Sequence, residues 1–223
     1  MRHIFIDCGS HDGCSIRKFR DTTDKGRQYE IYSFEPNSNL KKYYEELEDK
    51  QTHYDKAVWI YDGRVDFYVI GSTGGSTLEK TKNEHNSRKV GQPEKREVEC
   101  VDLAEWIKNN FKKEDFIILK MDIEGAEYEI LEKFFNDDVI KYVNKIYIEF
   151  HNIRCGKTKA DDSLLVEKLS KEGIKCDTTW DAMHKPYLKE PCWNRPGLPQ
   201  EHPHSPGAGV PRRPSNFTFH SSL

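Results

Sequence analysis

A loop that begins with an acid and contains two glycines is the first place in the sequence where residue types and spacing point to chemistry. Asp7, Gly9 and Gly13 follow the short apolar run at residues 4–6. Glycines allow the backbone to turn sharply and to approach a ligand, and a helix after them would offer unpaired N–H groups. The loop therefore indicates either a cofactor site or a plain turn. The pattern Gly-x-Gly-x-x-Gly is not met, because Asp7 stands at its first position, and this disfavours a nicotinamide cofactor.

A second acid, Glu35, directly follows another apolar run at residues 31–34. At the end of the second strand of an α/β fold, an acidic side chain accepts hydrogen bonds from the hydroxyls of a ribose. The position predicts a ribose contact, and the alternative is a solvated acid before Pro36. Glu35 and the glycine loop thus both indicate a nucleotide-like ligand.

Four charged or titratable residues follow two later apolar segments. Lys120 and Asp122 share one side of a strand, and Glu149 and His151 project from one face at the carboxyl end of another. Asp122, Glu149 or His151 could take the proton from a hydroxyl nucleophile. The structural alternatives are that Lys120 pairs with Asp122 or Glu149 to hold strand ends together, and that His151 is a hydrogen-bonded histidine at a strand end.

Carboxylates and imidazole are also ordinary metal ligands. Asp122, Glu149 and His151 together with Glu124 could hold a divalent metal, but their spacing does not decide this, so a metal is possible without being predicted. The carboxyl-terminal region has three potential zinc ligands, Cys192, His202 and His204. One cysteine without a paired cysteine is a weak zinc pattern, so no metal site is predicted there.

These residues need a framework of alternating strands and helices. Strands are predicted at residues 4–6, 31–34, 57–60, 65–70, 116–121 and 145–150. A turn around Asp62-Gly63 would join the third strand to the fourth as a hairpin, and residues 79–96 form a surface loop, a candidate lid. Asn37 or Ser38 could cap a second helix, and Asp102 with Glu105 indicates a capping box.

The pattern predicts a doubly wound α/β fold with a mostly parallel sheet and helices on both faces. One domain, residues 1–190, is expected, followed by a Pro/Gly-rich tail at 191–223 that is extended or disordered. The net charge of -3 indicates neither a nucleic acid nor a membrane as partner. No signal peptide or spanning segment is recognised, and six scattered cysteines indicate free thiols, so a cytoplasmic location is expected.

Three segments resemble, in order, motifs of the FkbM-type methyltransferases: Phe5 to Gly13, Ser33 to Asn37, and Leu119 to Glu127. The resemblance spans residues 4 to about 151. It implies a Rossmann-like sheet of the class I methyltransferase type that binds S-adenosylmethionine, with methyl transfer to a hydroxyl oxygen of a sugar, glycan or small metabolite. A small-molecule or glycan acceptor would be the partner.

The resemblance, by which Asp7, Gly9 and Gly13 would line the cofactor with Glu35 on its ribose, and the strand positions described above together indicate the site residues. The cofactor-binding set is Asp7, Gly9, Ser10, Gly13, Glu35, Pro36, Ala57 and Asp122. The catalytic set is Asp122, Glu149, His151 and Lys120. Ala57 and Val58 would lie near the adenine, although Lys56 replaces the small polar residue usual in the family.

Two other functions are compatible with the same fold. One is a cofactor- or glycan-binding module without catalysis, which the intact Asp7, Glu35 and Asp122 disfavour. The other is a nicotinamide-dependent oxidoreductase, which the missing first glycine disfavours. The acceptor cannot be inferred, because pockets in such folds are built from variable loops, here expected at residues 72–96 and 152–194.

Overall fold

Six parallel strands form the main sheet of the protein, and three more strands form a second sheet. The computed structural model describes residues 1–45, 51–69 and 94–179. The strands are β1 (His3–Cys8), β2 (Glu30–Phe34), β3 (Gln51–Tyr54), β4 (Ala57–Trp59), β5 (Gly63–Val69), β6 (Glu94–Asp102), β7 (Phe116–Met121), β8 (Val143–Ile148) and β9 (Lys175–Asp177). The main sheet has the order β3-β2-β1-β7-β8-β9, and the second has the order β4-β6-β5.

Helices cover both faces of the main sheet. They are α1 (Cys14–Thr22), α2 (Lys42–Glu45), α3 (Leu103–Asn110), α4 (Glu127–Asn136) and α5 (Lys159–Lys171). Alternate residues of β1 belong to different cores: Ile4 and Ile6 lie in a cluster with side chains of α3, α4 and α5, whereas Phe5 lies with Phe19 of α1. Phe5 and Phe19 stack with ring centroids 3.8 Å apart. The predicted doubly wound α/β fold with helices on both faces is confirmed.

The strand order reverses beside β1. From β1 the chain moves outward through β2 and β3, and it later returns to the other side of β1 with β7, β8 and β9. Asp7 is paired in register with Ser33 of β2 and with Lys120 of β7. Open α/β sheets bind their ligands in the crevice at this reversal, beyond the carboxyl ends of the strands.

Gly9 makes the close approach of β1 to β7 possible. Its φ is +75°, and a Cβ atom there would lie 1.9 Å from the carbonyl oxygen of Asp122. The N–H groups of Gly9 and Ser10 both donate to the carbonyl of Phe34, at 3.0 and 3.2 Å. The end of β1 is therefore fixed to the ends of both neighbouring strands.

The predicted hairpin of residues 57–60 and 65–70 is wrong. Strands exist there, but β4 and β5 do not pair with each other: β6 lies between them, parallel to β4 and antiparallel to β5. The last residues of the predicted loop at 79–96 belong to β6, which begins at Glu94, and residues 79–93 lie outside the described residues. β3, β6 and β9 were not predicted.

The predicted caps are found, with one difference. Asn37 accepts a hydrogen bond from the Asn39 amide at the start of a short 3₁₀ helix that precedes α2. Asp102 accepts bonds from the amides of Ala104 and Glu105, but the Asp102 amide donates to Asp62, at 3.0 Å. Asp62, from the turn before β5, thus replaces the Glu105 side chain of the expected box.

Four cysteines are free thiols, Cys8, Cys100, Cys155 and Cys176. Cys14 is not among these free thiols, so the expectation is confirmed for four of the five cysteines within the described residues. Cys192, the predicted domain end at residue 190 and the tail at 191–223 lie outside the described residues. Within the described ranges, every helix is too short or too polar to cross a bilayer.

Candidate functional site

A buried lysine joins the carboxyl ends of β1 and β7. Nζ of Lys120 lies 3.2 Å from Oδ1 of Asp7 and 3.6 Å from Oδ2 of Asp122. It also donates to the carbonyl oxygens of Gly9, at 2.7 Å, and Cys8, at 3.4 Å. The Lys120 side chain is 2% exposed and that of Asp7 is fully buried. One ammonium group therefore fixes both predicted acids and the glycine turn.

The charge of Lys120 is stabilised by its surroundings. Burial by itself lowers the pKa of the amine, but the charges of Asp7 and Asp122 outweigh it and raise the pKa above its ordinary value. The ammonium is therefore charged at physiological pH. The pairing of Lys120 with Asp122 is one of the two arrangements expected from the sequence.

Asp7 also connects the sheet to the first helix. Its Oδ2 accepts a hydrogen bond from the hydroxyl of Ser15, in the first turn of α1. Gly13 caps that helix with a φ of +75°, and its N–H donates to the Ser10 carbonyl at 2.8 Å. The loop from Asp7 to Gly13 is thus held at both ends.

Glu35 lies between this loop and the end of β2. One carboxylate oxygen accepts the His11 amide at 3.0 Å, and the other accepts the Asn37 amide at 2.8 Å. The residue is 7% exposed. Burial raises the pKa of Glu35, and the two amide hydrogen bonds oppose this only in part. Each carboxylate oxygen has two lone pairs, so both retain capacity for another donor.

Tyr44 supports the same loop from α2, although no sequence pattern identified it as a site residue. Its hydroxyl donates to the His11 carbonyl and lies 2.9 Å from Oγ of Ser10. Its ring stacks on His53 of β3, with centroids 3.6 Å apart. Tyr44 thereby ties the loop after β1 to the outer strand of the sheet.

Three other predicted cofactor contacts follow β2 and β3. Pro36 is half-buried directly after Glu35, and Ala57 and Val58 are buried at the start of β4. The Glu35 amide donates to the Tyr54 carbonyl at 3.1 Å, which brings the ends of the two strands together. Pro36 therefore lies just after the carboxyl end of β2, and Ala57 begins the strand after β3.

His151 lies among four carboxylates. Its Nδ1 is 2.9 Å from Oε1 of Glu127. Its Nε2 lies 3.4 Å from Glu124, 3.6 Å from Glu149 and 3.8 Å from Asp122. Glu127 is fully buried, and its two oxygens also accept the amides of Ile123 and Gly125, at 3.0 and 2.9 Å.

These contacts change the charge state of the imidazole. Burial by itself lowers the pKa of His151, but the hydrogen bond to Glu127 and the charges of Glu127, Asp122 and Glu149 raise it above its ordinary value. Glu127 was quoted in a sequence motif but not selected as a site residue. The sequence feature that could have identified Glu127 is its place three residues after Glu124, in the first turn of a helix that follows an acidic loop.

Asp122 belongs to both groups, because it faces Lys120 on one side and His151 on the other. One donor atom from each of Asp122, Glu149 and His151 lies within 4.8 Å of the others, a separation compatible with one metal ion. The same groups could instead accept or donate protons at the crevice. The structure thus brings together all four residues of the predicted catalytic set.

Comparison with known proteins identifies one family. The model of that family, described as the methyltransferase FkbM domain, matches residues 7–175. No curated protein and no solved structure matches the chain. The matched range runs from Asp7, near the end of β1, to Lys175, the first residue of β9, and it includes every site residue described above.

Proposed function

The chain belongs to the FkbM methyltransferase family, and we propose that it transfers a methyl group from S-adenosylmethionine to a hydroxyl of a sugar, glycan or small metabolite. The observation that carries the proposal is the position of Glu35. Its buried carboxylate accepts the amide of His11 in the loop after β1, at the carboxyl edge of the sheet where the strand order reverses. An acid at this place fits the two hydroxyls of a ribose.

The residues present fit such a cofactor. Nε2 of His11 is buried and has no hydrogen-bond partner among the described residues, although it lies in the loop that would face the ligand. This atom is available to a polar group of the amino-acid part of the cofactor. Ala57 and Val58 offer an apolar surface for the adenine. Asp7 would support cofactor binding indirectly, because it holds the loop that faces the cofactor.

S-adenosylmethionine supplies a sulfonium methyl group that is open to attack by a nucleophile. The chain must align the acceptor hydroxyl with that methyl group. It must also take up the hydroxyl proton as the new C–O bond forms and the methyl C–S bond breaks, which leaves S-adenosylhomocysteine. Asp122, Glu149 and His151 lie together at the crevice, and each has an atom that could accept the proton. Lys120 keeps Asp122 in position, and its direct participation in catalysis stays a prediction.

Isothermal titration calorimetry of the full chain with S-adenosylmethionine tests the cofactor. We expect one binding site per chain. Absence of binding by protein with the circular dichroism of a folded α/β domain would reject the proposal.

Methyl transfer itself needs a second experiment. Incubation with methyl-labelled S-adenosylmethionine and a panel of sugars, glycans and hydroxylated metabolites should label at least one acceptor. A protein that binds the cofactor but labels nothing in the panel would instead support the non-catalytic binding module.

A further inference from the structure

The arrangement around His151 suggests a ligand beyond the cofactor and the acceptor. The imidazole side chain is 7% exposed. Its Nδ1 donates to Oε1 of Glu127, because a carboxylate carries no hydrogen and acts only as acceptor. Nε2 is left pointing at Asp122, Glu124 and Glu149, and none of the described residues forms a hydrogen bond with it.

The distances fit a shared ion better than direct hydrogen bonds. Nε2 is 3.4 to 3.8 Å from the three carboxylates, whereas N–H···O bonds are usually about 2.7 to 3.2 Å long. Ligands that bind one metal ion at roughly 2.0 to 2.2 Å lie about 3 to 3.5 Å apart in neighbouring positions. Small side-chain shifts would bring these atoms to that spacing.

Charge and exposure favour the same ligand. Four carboxylates lie within 4 Å of one imidazole, which carries at most one positive charge, and the Lys120 ammonium lies 3.6 Å from one of them, Asp122. The side chains of Asp122 and Glu149 are 29% and 35% exposed, so the cluster is open on one side. Metal-binding histidines commonly donate their second N–H to a buried carboxylate, the part that Glu127 plays here.

We propose that Asp122, Glu149 and His151 bind a divalent metal ion of the Mn²⁺ type, with Glu124 as a further ligand and Glu127 as the group that orients the imidazole. Carboxylates suit Mg²⁺ and Mn²⁺, and the imidazole favours the transition metal. The role of the ion rests on the proposed function: bound at the crevice, it would hold the acceptor hydroxyl and lower its pKa. The acceptor would then carry a second oxygen beside the reacting hydroxyl, because two neighbouring oxygens can bind one ion together.

Titration of the full chain with Mn²⁺, followed by the electron paramagnetic resonance signal of the free ion, tests the site without cofactor or acceptor. We expect one site per chain, with affinity at least tenfold lower in Glu149→Gln and in His151→Gln. The glutamine at 151 can still hydrogen-bond Glu127, which protects the fold. Glu167→Gln, which removes a 60% exposed carboxylate of α5, should bind Mn²⁺ like the wild type.

The metal site is overturned if the wild type takes up no Mn²⁺. It is also overturned if Glu149→Gln and His151→Gln both bind Mn²⁺ with the affinity of the wild type. Calorimetry with S-adenosylmethionine on the same samples keeps the two proposals apart. Mn²⁺ binding without cofactor binding would support the site and reject the proposed function, whereas cofactor binding without Mn²⁺ binding would do the reverse.

Discussion

Oδ1 of Asp7 lies 3.2 Å from Nζ of Lys120, across the boundary between β1 and β7 where the strand order of the sheet reverses. Both side chains are almost completely buried. Burial of charges is costly unless each one is paired. The pair therefore couples the stability of the sheet to the geometry of the crevice.

Replacement of Lys120 by Met, which keeps the length of the side chain and removes its charge, should lower the free energy of unfolding by about 3–5 kcal/mol. The reason is that Asp7 would be left buried without its counter-ion. Denaturant unfolding followed by circular dichroism measures the loss. The double variant Asp7→Asn/Lys120→Met should recover part of it, because no unpaired charge remains.

Lys141→Met is the matched control for this experiment. Lys141 also pairs with an acid, Asp138, but its side chain is 51% exposed, and exposed pairs contribute about 0–1 kcal/mol. A loss below about 1 kcal/mol in Lys120→Met, equal to that of the control, would contradict the structural importance of the buried pair.

Gly9→Ala should destabilise the protein more than the same change at another glycine with positive φ. A methyl group at residue 9 would meet the Asp122 carbonyl oxygen at 1.9 Å, so overpacking of about 1–3 kcal/mol adds to a backbone cost of about 1–2 kcal/mol. Gly156, with φ +67° and nothing within 4 Å of its Cβ position, should show the backbone cost alone. Equal losses of unfolding free energy in the two variants would be the contrary result.

Much of the site was predictable because the carboxyl ends of parallel strands meet at one edge of a sheet. Asp7, Glu35 and Asp122 each follow an apolar run, so the strand pattern alone places them near one another. The register and the strand order were not predictable, because they depend on packing between distant segments. The sequence therefore indicated Lys120 and Asp122 as partners but not the pairing of Lys120 with Asp7.

β6 was missed because it is rich in charge. Residues 94–99 are all charged except Val98, a composition typical of a solvated loop, yet cross-strand ion pairs make them compatible with a strand. Lys95 pairs with Asp66 at 2.8 Å, and Arg64 pairs with Glu97 at 2.6 Å. Such pairs depend on the partner strand β5, which a local pattern does not identify.

Glu35→Gln should weaken the binding of S-adenosylmethionine at least tenfold while the protein stays folded. The glutamine amide offers one acceptor oxygen instead of two, and hydrogen bonds to a charged group contribute about 1.5–3 kcal/mol. The fold should survive the change at a cost of about 1–3 kcal/mol, because the glutamine NH2 faces one of the two amides, of His11 or Asn37, whose hydrogen bonds Glu35 accepts. Calorimetry provides the affinity, and thermal unfolding checks the fold.

Glu30→Gln serves as the control for that variant. Glu30 belongs to the same strand, but its side chain is 46% exposed and lies at the amino end of β2, away from the crevice. Its replacement should leave cofactor affinity unchanged. If Glu35→Gln also binds like the wild type, the assignment of Glu35 to the ribose is wrong.

The pair formed by Asp115 and Arg2 predicts how stability changes in acid. Burial by itself raises the pKa of Asp115, but hydrogen bonds from the Arg2 side chain and from the amides of Arg2 and Lys112 lower it from 3.8 to about 2. A carboxyl group whose pKa is lower in the folded state stabilises the fold above its unfolded pKa. This contribution is lost as the pH falls from about 4 to about 2.

Asp115→Asn should isolate that contribution, because all other carboxyl groups titrate in both proteins. At pH 6 the variant should be less stable by roughly 2 kcal/mol, the value that corresponds to the lowered pKa. Urea unfolding at intervals from pH 6 to pH 2, followed by tryptophan fluorescence, should show the difference shrinking between pH 4 and pH 2. A difference that stays constant over this range would mean that the Asp115 carboxylate is not stabilised by Arg2 in the folded protein.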